Sequence, residues 1–266
     1  MSAWTASPGP REPTLTTDRW VLLRGLTRES GHWGEFLPRL RAALPRATVL
    51  APDLPGCGAR FAEQSPDTVP QILEEVRGGI GVGAGEKVWL FGLSLGGMLV
   101  WEWLRRHPQE VAGVVVANTS LGGTSAPWQR MRPTGVLRVA SAFVAGDLLT
   151  RERRIFALVS SRPDGGTELV SGWVALAREH PVRRATALRQ LLAAARYRAA
   201  PLPAPPPPAL VLVSREDRLV HPACSRAVAE RLGATLREHP TAGHDLTLDA
   251  PGWVADEVAA WRAVIR

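Results

Sequence analysis

Ser94 stands in Phe91-Gly92-Leu93-Ser94-Leu95-Gly96-Gly97-Met98, a Gly-x-Ser-x-Gly string between an apolar, β-rich run and a helical pattern. In that setting the serine occupies a strained strand-to-helix turn, and the residues two before and two after must be small. The chemistry this permits is nucleophilic. A hydroxyl would project above the end of a sheet, and the backbone N–H of Leu95 would point where an oxyanion can form. The plainer alternative is a serine that only caps a helix.

A serine hydroxyl needs a positioned base. Six histidines are available: His32, His107, His180, His221, His239 and His244. His244 lies in Thr241-Ala242-Gly243-His244-Asp245, a short loop after the last strand pattern and before the last helix, from which a side chain can swing over the sheet edge. His107 is expected to cap the helix after Ser94, and His180, His221 and His239 are read as structural. The base in turn needs an acid to fix its tautomer. Asp217, in Ser214-Arg215-Glu216-Asp217-Arg218-Leu219-Val220, follows a strand pattern directly. Glu216 is its neighbour, but adjacent loop residues point in different directions. Asn118 cannot supply the charge. Ser94, Asp217, His244 is also the chain order of one known form of this triad.

The elements that must position these groups alternate between strand and helix. Apolar runs at 20–23, 49–51, 88–91, 114–117 and 209–213 suit a parallel sheet covered on both faces, with a weaker strand at 235–239. Helical spacing occupies 31–44, 69–78, 95–106 and 252–264. The alternation predicts a three-layer α/β sandwich. Between two successive strands, residues 121–208 carry helical patterns only and end in a proline run, Pro201-Leu202-Pro203-Ala204-Pro205-Pro206-Pro207-Pro208. That run predicts a stiff spacer returning the chain from a helical cap to the sheet.

Composition closes off several other classes. The 266 residues are 45% hydrophobic and 21% charged, as in an ordinary globular protein. No apolar run is long enough to span a membrane, and the opening residues lack the pattern of a secretory signal. Cys57 and Cys224 make neither a disulfide framework nor a zinc site, and a reducing cytoplasm is expected. The formal charge of +7 is not spread evenly: segment 121–208 holds 13 arginines against five acidic residues. No nucleic-acid motif accompanies it. If some of those arginines face inward, they would favour anionic substrates. Among ten tryptophans, core packing is expected for most, with Trp33, Trp128 and Trp173 as candidates to line a pocket.

The chain resembles the α/β-hydrolase superfamily, in its small capped serine-hydrolase form. The resemblance covers 18–120 and 209–266 and rests on Leu23-Arg24-Gly25-Leu26, Asp53-Leu54-Pro55-Gly56-Cys57-Gly58, the Ser94 turn, the Asp217 loop and Gly243-His244. It implies a core of residues 1–120 and 209–266 around a mostly parallel sheet of about six strands, with 121–208 as the cap. On this resemblance the two leading strands of the largest members are not expected. The resemblance further implies that Leu26 supplies a second oxyanion N–H beside Leu95, and that Asp53 organises a turn. Arg24 replaces the family's histidine, which leaves the backbone donor intact and alters how that loop is anchored.

The function so implied is a serine hydrolase of small to medium carboxylic esters, working through an acyl-enzyme on Ser94 with His244 as base and Asp217 as its acid. Its partner is a small-molecule ester, and no metal or organic cofactor is called for. Thioesterase, lactonase, C–C hydrolase, acyltransferase and cofactor-free haloperoxidase activities share the triad, and a non-catalytic ligand receptor can keep it too. A serine in place of aspartate at residue 94 argues against haloalkane dehalogenases and epoxide hydrolases.

Overall fold

Trp20 and Leu22 pack into one apolar cluster while Val21 and Leu23 pack into another, so strand β1 (Arg19–Leu23) is buried on both faces. The same alternation runs through its neighbours: Val114 and Val116 join one cluster, Val115 and Ala117 the other. Successive strand residues point to opposite faces, which is why these strands read as continuous apolar runs. The computed structural model describes residues 18–162, 166–203 and 205–265.

Strands β2 (Thr48–Leu50), β3 (Val88–Leu93), β4 (Val111–Ala117), β5 (Ala209–Ser214) and β6 (Thr235–His239) complete a parallel sheet of six in the order β2-β1-β3-β4-β5-β6. Helices α1 (Phe36–Ala43) and α11 (Pro251–Ala263) cover one face, through Phe36, Leu40, Val254, Val258 and Trp261. Helices α2 (Val69–Ile80), α3 (Leu95–Arg106) and α9 (Pro222–Leu232) cover the other, through Ile72, Leu73, Leu99, Val228 and Leu232. The expected three-layer α/β architecture is the one observed.

Two local expectations need correction. The helical pattern at 31–44 is not one helix. A 3-10 turn at Ser30–Trp33 gives way to α1, because the backbone turns left-handed at Gly34, with φ of +46°. Helix α9 is an addition to the expected elements, although its signals are present in the sequence. His221 caps it by accepting from the Ala223 N–H at 3.2 Å, Pro222 opens it, and left-handed Gly233 ends it.

Between β4 and β5 the described residues form helices α4 (Pro127–Arg130), α5 (Pro133–Phe143), α6 (Leu148–Val159), α7 (Thr167–Glu179) and α8 (Arg184–Arg196). A short α10 (Leu246–Asp249) precedes α11. In a parallel sheet all strands end at the same edge. That places the segments after β1, β3, β5 and β6 together. The order reverses direction between β1 and β3, the crevice where open α/β sheets bind their ligands.

Candidate active site

Ser94 sits at that crevice with φ of 57° and ψ of −115°, a conformation that costs a non-glycine residue about 1–3 kcal/mol. Its surroundings hold it there. The Ser94 N–H donates to Ala117 O at 3.0 Å, and the Ser94 carbonyl accepts from the Thr119 hydroxyl at 2.8 Å and the Gly97 N–H at 2.9 Å. The glycines are steric necessities. A Cβ on Gly92 would strike the Gly96 carbonyl, and a Cβ on Gly96 would strike the Leu23 carbonyl of β1.

His244 is buried, and its Nδ1 lies 2.7 Å from Asp217 Oδ2. A carboxylate can only accept, so Nδ1 carries the proton and Nε2 offers its lone pair. The other Asp217 oxygen accepts the N–H groups of Leu219 and Val220, both at 2.8 Å. Burial alone would drive the imidazole toward its neutral form. The charge of Asp217 and its hydrogen bond outweigh that effect, and the His244 pKa lies above its ordinary 6.5. Glu216 is exposed and points elsewhere.

Asn118 has a larger role than its missing charge suggested. Its amide donates to His244 O at 2.8 Å, Gly243 O at 3.3 Å and Ser214 Oγ at 2.8 Å, while its oxygen accepts the Ser214 N–H at 2.8 Å. The end of β4 therefore grips both the end of β5 and the His244 loop. Its position at a strand terminus was the available signal.

After β1, Gly25 passes close to Ser94: a Cβ there would lie 3.3 Å from the Ser94 Cβ. Among the described residues, neither the Leu26 N–H nor the Leu95 N–H has a protein acceptor. Arg24 is buried and pairs with Asp245 at 2.6 Å, stacking over Trp33 at 4.6 Å. The loop is thus anchored to the residue after His244. Asp53 holds the next turn by accepting the Ser30 N–H at 2.6 Å and the Ala59 N–H at 2.9 Å.

Ser94, His244 and Leu26 share the wall of a cavity of about 390 Å³. Val139, Ala142, Phe143, Leu148, Ile155, Leu158 and Val159 of α5 and α6 give it an apolar side. Arg28, Glu29, His32, Glu152 and His180 form a polar end. His180, read from sequence as merely structural, therefore lines the cavity, its Nδ1 3.1 Å from Glu29 Oε2. None of the three candidate tryptophans lines it. Trp33 and Trp173 are buried in packing, and Trp128 is 67% exposed. His239 accepts the Ala242 N–H at 3.0 Å, bracing the loop that carries His244. Among the described residues no cluster of His, Cys, Asp or Glu has metal-holding geometry.

The family model of the alpha/beta hydrolase family matches residues 20–257. The chain belongs to this family. This alpha/beta hydrolase is 31% identical over 193 residues to the pimeloyl-[acyl-carrier protein] methyl ester esterase of Sodalis glossinidius, covering 65% of this chain and 72% of that protein. Its fold matches the enol-lactonase of Burkholderia xenovorans with a TM-score of 0.75 and 21% identity, over 95% of this chain and 94% of that one. A thermophilic esterase from Thermogutta terrifontis matches at 0.70 and 20% identity, over 92% and 89%. No helix of the hydrolase, among the described residues, is long and apolar enough to cross a membrane.

Proposed function

We propose that this alpha/beta hydrolase is a serine esterase acting on small to medium carboxylic esters. The observation that carries the reading is the buried 2.7 Å contact from Asp217 to His244, with His244 and the strained Ser94 on one cavity wall. His244 Nε2 takes the Ser94 proton as Oγ attacks the ester carbonyl carbon. The resulting oxyanion receives the N–H groups of Leu26 and Leu95, and the field of the α3 N-terminus favours its charge. His244 returns the proton to the leaving alkoxide. Water, deprotonated by the same imidazole, then cleaves the acyl-enzyme, and Ser94 regains its proton.

Residues 121–208 act in this scheme as a cap over a core of 1–120 and 209–266, closing the cavity from above. The mainly apolar wall from α5 and α6 suits a short or medium acyl chain. The methyl ester esterase activity named for the Sodalis relative supports a carboxylic ester as substrate. Cys57 and Cys224, both free and buried, suit a cytoplasmic setting.

The test is turnover of p-nitrophenyl butyrate. Ser94→Ala should lose roughly three or more orders of magnitude while retaining its circular dichroism spectrum, and a fluorophosphonate should label Ser94 in the wild type. Undiminished turnover by a purified Ser94→Ala protein would overturn the reading.

A further inference from the structure

Three consecutive residues of the loop after β1 are each held by a different helix or helix end of the segment between β4 and β5. The Thr27 N–H donates to Gln190 Oε1 of α8 at 2.9 Å. Arg28 Nη1 donates to Glu152 Oε2 of α6 at 2.8 Å. Glu29 Oε2 lies 3.1 Å from Nδ1 of His180, the residue that ends α7. Two of the partners, Gln190 and Glu152, are almost wholly buried.

Gln190 is the most telling of the three. It carries no charge and sits at 0% exposure, and its amide reaches across to Pro55 O at 3.3 Å and Cys57 Sγ at 3.4 Å. Its oxygen meets the amide immediately after Leu26. Thr27 itself has φ of +57°, left-handed for a β-branched residue, and its hydroxyl bonds back to Leu26 O at 2.7 Å. A branched side chain does not hold that conformation unaided. With the Thr27 N–H left unpaired in this half-buried site, the peptide joining Leu26 to Thr27 has reason to rotate. The Leu26 N–H lies one residue upstream of that peptide and shifts with it.

We infer that Gln190 is a positioning residue for the oxyanion hole: through Thr27 it fixes the direction of the Leu26 N–H, so α8 and the oxyanion loop hold one shared geometry. The inference rests on the reading of Leu26 as an oxyanion donor in an ester hydrolase. It assigns to the cap a part in transition-state stabilisation as well as in enclosing substrate.

The experiment compares wild type, Gln190→Met and Gln190→Glu on p-nitrophenyl butyrate, alongside inhibition by an alkyl trifluoromethyl ketone, whose serine adduct places an oxyanion in the same hole. Methionine keeps the length and loses both the acceptor for Thr27 and the donor to Pro55 O and Cys57 Sγ. Its kcat should fall about tenfold to a hundredfold with KM within about threefold, and affinity for the ketone should fall by a similar factor. Glutamate, held protonated by burial, keeps an oxygen facing Thr27 and offers an O–H to Pro55 O, so it should recover most of the lost kcat. An unchanged kcat in Gln190→Met, equal losses in both variants, or a rise in KM alone would each overturn the inference. Should Gln190→Met fail to fold, Gln190→Ala replaces it. In the wild type the Thr27 amide should exchange slowly with deuterium, and rapid exchange overturns the inference without any variant. A wild type that neither hydrolyses esters nor reacts with fluorophosphonate removes the esterase reading and this inference together. Active wild type with indifferent Gln190 variants removes only the inference.

Discussion

Arg24 and Asp245 form a buried ion pair at 2.6 Å that joins the start of the loop after β1 to the residue following His244. Arg24 also donates to Thr247 Oγ1 at 3.3 Å, and the Thr247 hydroxyl donates to Asp245 Oδ1 at 2.8 Å. Asp245 caps α10 by accepting the Leu248 N–H at 3.2 Å. One pair thus ties together the loops bearing the candidate oxyanion donor and the candidate base.

Removing one partner of such a pair leaves the other charge buried and alone. Arg24→Met should destabilise the protein by about 3–5 kcal/mol in urea unfolding. The double variant Arg24→Met/Asp245→Asn, which restores neutrality and keeps a capping oxygen, should regain much of that loss. Burial pushes the Asp245 pKa up and Arg24 pulls it further down, so the net value lies below its ordinary 3.8. The pair's contribution is therefore present above the unfolded-state pKa and is lost as pH falls through the folded one. A neutral Arg24→Met would show that the pair merely compensates its own desolvation.

In the proposed mechanism His244 must be neutral to accept the Ser94 proton, and its pKa is raised above 6.5. The kcat/KM for a neutral ester should accordingly rise with pH through an apparent pKa higher than that of an ordinary histidine. Asp217→Asn should move this inflection to lower pH and depress the plateau by about 10⁴-fold. Glu216→Gln, at an exposed side chain, should leave both unchanged. The reverse pattern would transfer the acid to Glu216.

Steric necessity and open space predict opposite effects for two glycine-to-alanine changes. Gly96→Ala would drive a Cβ against the Leu23 carbonyl, costing about 1–3 kcal/mol and displacing the Ser94 turn. Gly79, inside α2, has no positive φ, and a methyl group added to it would meet nothing within 4 Å. Gly79→Ala should stabilise by about 0.5–1 kcal/mol. Thermal unfolding of the two variants checks both signs.

The excess of arginine in segment 121–208 does not translate into a positively charged cavity. Arg24, Arg28, Arg151 and Arg184 line it, but so do Glu29, Asp147, Glu152 and Asp245. Arg28 and Arg151 both spend contacts on Glu152, at 2.8 and 3.0 Å. Anionic half-esters should therefore show no advantage in kcat/KM over neutral esters of equal length. Raising salt to ~0.5 M, where the Debye length is a few ångströms, should change the ratio little. A strong anion preference that salt abolishes would assign Arg151 and Arg184 a steering role.

Short-range physics made much of this molecule legible from its residues. The Ser94 turn is a local steric problem, solved by Gly92 and Gly96 within five positions. The strands announced themselves because burial on both faces demands continuous apolar residues, as at Ala209 to Val213 in β5. The pairing of His244 with Asp217 was foreseeable because each follows a strand whose end must lie at one edge of a parallel sheet. What the tertiary structure decided is which distant side chains meet above that edge. Arg24 finds Asp245 across 221 residues, and Thr27 finds Gln190 across 163. No periodicity encodes such pairs: the first depends on how the loops after β1 and β6 converge at the sheet edge, the second on how the helices between β4 and β5 settle over it. The same holds for the cavity's charge: sequence counts arginines, but packing determines which carboxylates stand beside them.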